Sequence, residues 1–159
     1  MKIDVIGIGK IKEKYLTAGI EEFLKRLKPY CNLNIVELSE EYMPENASLA
    51  EKNLAIKKEG ERMLKRVAPS SYVIVLDVKG KQVSSEELAA KFEGLALEGK
   101  SYITFVIGGA FGLSSDVVQA ADMRLSFSKM TFTHQMIRLF LVEQIYRAFK
   151  ISRGEPYHL

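Results

Sequence analysis

Two apolar runs constrain this chain more than anything else in it: residues 72–78 (YVIVLDV) and residues 101–107 (SYITFVI). Each is a continuous β-branched stretch, the composition of a strand buried on both faces. Between them, Ser84-Ser85-Glu86-Glu87 supplies an N-cap with acids in the first turn and opens a helix over Leu88, Phe92, Leu95 and Leu97. Strand, helix and strand in this order make a parallel pair with a crossover, and a parallel sheet needs helices over both of its faces.

The rest of the chain repeats the alternation. Residues 2–9 read as a first buried strand running into a glycine turn. Residues 15–27 read as a helix with Leu16, Ile20, Phe23, Leu24 and Leu27 on one stripe, ended by Pro29, and residues 33–38 as a second strand. Residues 39–46 form an acidic, turn-rich connection, expected to be the mobile loop of the chain. Residues 47–67 read as a long, charged, well-exposed helix with a thin apolar stripe of Leu54, Met63, Leu64 and Val67. Lys79-Gly80-Lys81 is expected to turn out of the third strand. Ser114-Ser115-Asp116 cap a short helix, residues 124–127 make a last strand and residues 133–151 the final helix. There is no repeat and no linker, so the expectation is one α/β domain over residues 1–159, a mostly parallel sheet with helices on both faces.

Composition excludes several classes. No apolar run approaches the length of a membrane span, and residues 1–5 lead into strand-like sequence without a basic or apolar leader, so no membrane association is expected. The single cysteine, Cys31, has no partner for an internal disulfide, which suits a reducing cytoplasm, and it reads as a small apolar residue at a helix end. No cluster of Cys, His and carboxylates has metal-ligand spacing. The net charge of +3 is unevenly spread. Residues 1–123 carry 17 Lys/Arg against 18 Asp/Glu, whereas residues 124–159 carry six against two and hold both histidines. A basic end on a neutral body suggests an anionic partner there, RNA or a phosphorylated ligand, or simply a solvated helix face.

In open α/β sheets, ligands bind beyond the carboxyl ends of the strands. Loops 76–80, 108–112 and 127–132 fall there, and Gly108-Gly109 permits close backbone approach to a ligand. Common nucleotide signatures do not fit. Gly7-Ile8-Gly9 lacks the third glycine of a dinucleotide fingerprint. Residues 94–101 (GLALEGKS) match the phosphate-loop pattern letter for letter, but they close a helix and open a strand, the reverse of what that loop requires.

The final stretch carries the remaining chemistry. A turn delivers His134 at the mouth of a helix in which Met136, Ile137, Leu139, Phe140, Leu141 and Val142 surround the single charge of Arg138. Apolar residues all round imply burial on more than one side, by the domain itself and by a partner subunit. His134 reads either as a packed, capping residue or as a proton acceptor near neutral pH. Arg138 needs an anion, in a structural ion pair or in a substrate. Arg147 points to another face and would serve the same pocket only if a second subunit or the folded tail completed it. In the tail, residues 153–159 (RGEPYHL), Pro156 stiffens a segment whose aromatic ring and imidazole can stack a base and exchange a proton.

At residues 105–112 (FVIGGAFG), 125–128 (LSFS), His134, and from Tyr146 through Pro156, Tyr157 and His158, the chain closely resembles the RlmH family of SPOUT methyltransferases. The resemblance runs from Met1 to His158. It implies S-adenosylmethionine-dependent methylation of N3 of a pseudouridine in a stem-loop of 23S ribosomal RNA. It implies a homodimer through the last helix, no DNA, and a C-terminal deep trefoil knot, an exception to unknotted topology. The contacts it carries to the cofactor are Leu76, Gly108, Phe127, Ser128, Lys129, Met130, Thr131 and Phe132. His134 or His158 would accept the imide proton, Arg147 would stabilise the negative carbonyl, and Tyr157 would position the base. Thr133 stands where relatives usually have proline, and it can cap the helix and keep the turn. Two rival readings stand beside this one, a non-catalytic RNA-binding factor and a dinucleotide-dependent α/β enzyme. The modest size and charge further suggest recognition of assembled ribosomal surface.

Overall fold

The computed structural model describes residues 1–159. Its elements alternate as the two apolar runs require. They are β1 (Lys2–Ile8), α1 (Lys14–Leu27), β2 (Asn32–Leu38), α2 (Leu49–Arg66), β3 (Tyr72–Gln82), α3 (Ser85–Leu97), β4 (Tyr102–Ile107), α4 (Ser115–Gln119), β5 (Met123–Ser126) and α5 (Met136–Ser152). The five strands form one sheet in the order β2-β1-β4-β3-β5, every pairing parallel. No helix is long and apolar enough to cross a membrane.

The two-residue period of a strand sorts side chains between two cores. Ile3 and Val5 of β1, Ile103, Phe105 and Ile107 of β4 and Ile74 of β3 face a layer built by Leu27 of α1, Phe92 of α3 and Leu141 and Ile145 of α5. Ile6, Ile8, Val73, Val75 and Val106 face the other way, onto Met63 of α2 and Val117 of α4. Thr104, fully buried on that second face, donates its hydroxyl to Ser71 Oγ at 2.8 Å, and Ser71 passes a hydrogen bond to the Ala68 carbonyl at 2.8 Å. Ser48 and Ser84 each close a capping box, with Glu51 and Glu87, and so start α2 and α3 where hydroxyl and carboxylate meet the free amides.

Four sequence expectations change. First, Lys79-Gly80-Lys81 does not leave the sheet. β3 bulges after Leu76 and pairs again with β5, Lys81 opposite Leu125 and Gln82 opposite Ser126. Gly80 makes this possible, because a Cβ there would sit 2.7 Å from the backbone carbonyl of Arg124. Second, the buried face of α2 is Ala55, Glu59, Gly60 and Met63, while Leu54 points outward. Met63 is in the core and Leu64 and Val67 pack against it as expected, but near Leu54 a small residue, Ala55, and a carboxylate, Glu59, take the inner face. Glu59, only 5% exposed, accepts the Glu41 N–H at 3.0 Å. Third, Leu97 is 90% exposed, since α3 ends there and the chain turns away through Gly99. Fourth, α5 begins at Met136, so His134 lies on the preceding turn. The GLALEGKS segment closes α3 and leads into β4, the context that argues against a phosphate loop.

Candidate active site

The carboxyl ends of β3, β4 and β5 open onto a cleft of about 990 Å³. Leu76, Ile107, Phe127, Phe132 and Ile137 make its apolar wall, and Gly108, Ser128, Thr131 and His134 line the rest. Gly108 is required by packing: a Cβ would lie 2.8 Å from the carbonyl carbon of Gly112, which folds back across the loop at φ +92°. The hydroxyls of the next loop shape its backbone. Ser126 donates to the Ser128 carbonyl at 2.9 Å, and the Ser128 hydroxyl accepts the Met130 N–H at 3.0 Å. The side chains of Lys129 and Met130 point away from the cleft, unlike the other six residues expected at a cofactor. On the rim, Asp77 pairs with Arg124 at 2.6 Å. Burial pushes the Asp77 carboxyl up, but the Lys79 amide and Arg124 outweigh it and hold the group below its ordinary value.

His134 enters from the turn before α5. Thr133 caps this turn, its Oγ1 accepting the Met136 N–H at 3.1 Å, as expected of threonine in place of proline. Arg138, one turn on, proves structural. Its side chain is fully buried over Gly7, pairs with Glu37 at 3.1 Å, and donates to the carbonyls of Ile8 and Gly9 at the end of β1. Glu37 also accepts the Ile11 N–H at 2.8 Å. One ion pair thus ties the start of α5 to the ends of β1 and β2.

Burial lowers the His134 pKa, and the nearby Arg138 charge lowers it further, against a smaller opposing effect of Glu40. The imidazole is therefore held neutral, able to accept a proton. The unfolded chain binds a proton as pH falls through 6.5 while the folded protein resists it. Stability should therefore drop with pH from about 6.5 down to the folded value. As pH falls through this range, the urea midpoint of wild type should drop relative to that of His134→Asn, because the variant lacks the cost. Parallel curves would exclude a depressed His134.

A second group forms where the tail folds back on α5. Arg147 donates to Glu143 Oε1 from Nε at 3.1 Å and from Nη2 at 2.6 Å, and Tyr157 donates to the same oxygen at 2.9 Å. The guanidinium lies 4.7 Å from the Tyr157 ring centre, and that ring packs edge-on against Tyr146 at 4.8 Å. Burial and Glu143 raise the Tyr157 pKa, so its phenol keeps its proton. His158 is held on both sides, with Nδ1 3.3 Å from Arg147 Nη1 and Nε2 2.6 Å from Glu86 Oε1. A guanidinium can only donate, so Nδ1 is the acceptor and, in the neutral ring, Nε2 carries the hydrogen given to Glu86. While Arg147 stays there, the Nδ1 lone pair is occupied.

Arg147, Tyr157 and His158 are thus brought together with each other but not with His134. A groove of about 470 Å³ joins the two groups, sharing Leu125, Phe127 and Phe132 with the cleft and reaching Glu143 at its other end. Phe132 and Phe140 form an exposed edge-to-face pair at the junction, 5.4 Å between centres. Sequence reasoning missed Glu143, Glu86 and Glu37. Glu143 was legible as the residue one turn before Arg147. The other two are brought in by tertiary folding alone.

Such a site offers a glycine-floored cleft, a neutral imidazole, and an arginine and phenol beside a second imidazole, which suits group transfer with proton removal. Comparisons agree on the family. The model of a family described as a predicted SPOUT methyltransferase matches residues 1–158. The chain is 61% identical over 158 residues, 99% of both chains, to the ribosomal RNA large subunit methyltransferase H of Halothermothrix orenii. It is 56% identical to the protein of that name from Carboxydothermus hydrogenoformans and 54% to that from Clostridium botulinum, each again over 99% of both chains.

Proposed function

The chain belongs to the ribosomal RNA large subunit methyltransferase H family of SPOUT methyltransferases, and from that premise we propose that it methylates N3 of a pseudouridine in a stem-loop of 23S ribosomal RNA, on the assembled ribosome in the cytoplasm, with S-adenosylmethionine as donor. The observation that carries this reading is the arrangement of Arg147, Tyr157 and His158 around Glu143, at one end of a groove that opens into the glycine-floored cleft.

The cleft suits the cofactor. Its volume lies at the upper end of the range of small-molecule sites, its apolar wall can take an adenine, and Ser128 and Thr131 offer hydroxyls. Leu76, Gly108, Phe127, Ser128, Thr131 and Phe132 would hold it from the lining, and Lys129 and Met130 through their backbone. When bound, S-adenosylmethionine supplies an electrophilic methyl group on a sulfonium sulfur. The residues of the chain then have to orient the acceptor in line and remove the imide proton. Arg147, on leaving Nδ1 of His158 for the carbonyl next to N3, would stabilise the charge that develops there and free Nδ1 to accept the proton. Tyr157 is held for this by Glu143. His134, already neutral and in the cleft, is the alternative acceptor.

Because His134 lines the cleft while Arg147, Tyr157 and His158 do not, we read the working unit as a homodimer in which the tail of one copy completes the cleft of the other. Phe132 and Phe140, exposed beside the groove, give the second copy an apolar surface. The family's trefoil knot belongs to the same proposal, and the bonds from Arg138 to the end of β1 would fasten the threaded segment. The test is transfer of labelled methyl to ribosomes lacking the modification, with separated subunits and naked RNA in parallel. Label on a pseudouridine N3, with assembled ribosomes alone, is expected. Label on another atom would overturn the regiochemistry, and label confined to naked RNA would overturn the ribosomal acceptor.

A further inference from the structure

The loop between β1 and α1 and the first turn of α1 carry Lys10, Lys12 and Lys14 within five residues, followed by Tyr15. All three lysines are exposed, none makes an ion pair, and Tyr15 is 63% exposed. Glu13 is the single acid among them. The backbone under these free side chains is fastened on every side. Gly9 donates to the Leu38 carbonyl at 2.7 Å and accepts from Arg138 at 2.9 Å. The Ile11 N–H binds Glu37 at 2.8 Å, and the Lys12 N–H reaches Gln135 Oε1 at 3.4 Å. Gln135 follows His134, so the loop abuts the turn that delivers this histidine to the cleft.

We propose that Lys10, Lys12 and Lys14, with Tyr15 beside them, form the surface that holds the phosphate backbone of the substrate RNA next to the target base. The inference rests on the RNA-methyltransferase reading and adds the docking surface to it. Three cations without a direct ion pair stand on a backbone already fastened by three neighbouring elements, so little backbone order has to be gained on binding. Lysine ammonium groups suit phosphate oxygens, and an exposed tyrosine offers a face for an unstacked base. Other unpaired lysines, Lys57, Lys58 and Lys65, project from α2, against the opposite face of the sheet from α5. They provide the control.

The test compares Lys10→Gln/Lys12→Gln/Lys14→Gln with Lys57→Gln/Lys58→Gln/Lys65→Gln, two variants of equal net charge. Filter binding to ribosomal particles across a salt series, methyl-transfer kinetics and cofactor titration are read on each. For the loop variant, affinity for the particles is expected to fall about tenfold or more, and the slope of log affinity against log salt to shrink by roughly one per lost phosphate contact. KM for the particle should rise with it, while cofactor affinity stays at the wild-type value and the control variant matches wild type throughout. Equal behaviour of the two variants would overturn the inference even if the wild type methylates. Wild-type particle binding without methyl transfer would overturn the functional reading alone, and no binding by the wild type would overturn both.

Discussion

Replacing Glu37 with glutamine is expected to lower the free energy of unfolding by roughly 2–3 kcal/mol, less than for a fully buried pair because Glu37 is 35% exposed. Arg138 is 0% exposed, and its burial already lowers its pKa, with Glu37 opposing this. Glutamine keeps an acceptor for the Ile11 N–H but leaves the guanidinium a buried charge without a counter-ion. The converse change, Arg138→Met, strands the Glu37 carboxylate, which is 35% exposed and reachable by water, and also takes the donor from the Ile8 and Gly9 carbonyls. Removing both charges together should cost less than the two single changes added, with a coupling of roughly 1–3 kcal/mol. Urea unfolding of the four proteins measures this cycle. Additive effects would show that the pair is not the clasp that joins α5 to β1 and β2.

That clasp shows where sequence reading stops. Continuous β-branched runs place β4 and the start of β3, and an apolar run into a glycine turn places β1, because each strand carries its own burial signal; the Ser84–Glu87 spacing places the start of α3 because capping is local. The three cleft loops follow from strand order in the same way. Arg138 could be read as needing an anion but not assigned one, since Glu37 lies 101 residues away and is brought near only by the parallel sheet. The same is true of His158 and Glu86, 72 residues apart. Gly80 looked like a turn because the reason for its glycine, the backbone of β5, lies outside its own segment. Leu54 was assigned to the wrong face of α2, because the inner face there holds Glu59, whose carboxylate meets the Glu41 amide and the Gly109 loop, in place of apolar bulk. Local signals were legible, and long-range polar partners were not.

Arg147→Ala is expected to slow methyl transfer by about 10²–10³-fold, the usual consequence of removing one donor from a developing oxyanion. Cofactor affinity should not change, because Arg147 is placed at the acceptor's carbonyl and not among the residues that would hold the cofactor. Glu143→Gln should give a smaller loss, since an amide can still accept from Tyr157 but no longer matches the guanidinium's two parallel donations with a full charge. The dimeric reading adds a sharper consequence. Gly108→Val closes the cleft, whereas Arg147→Ala disables the tail, and each chain alone should be inactive. Mixed and reassembled, half the dimers would pair an intact cleft with an intact tail once each, restoring about a quarter of wild-type activity. A mixture as silent as its components would show that tail and cleft act within one chain, and Arg147 would then have to reach His134 along its own groove.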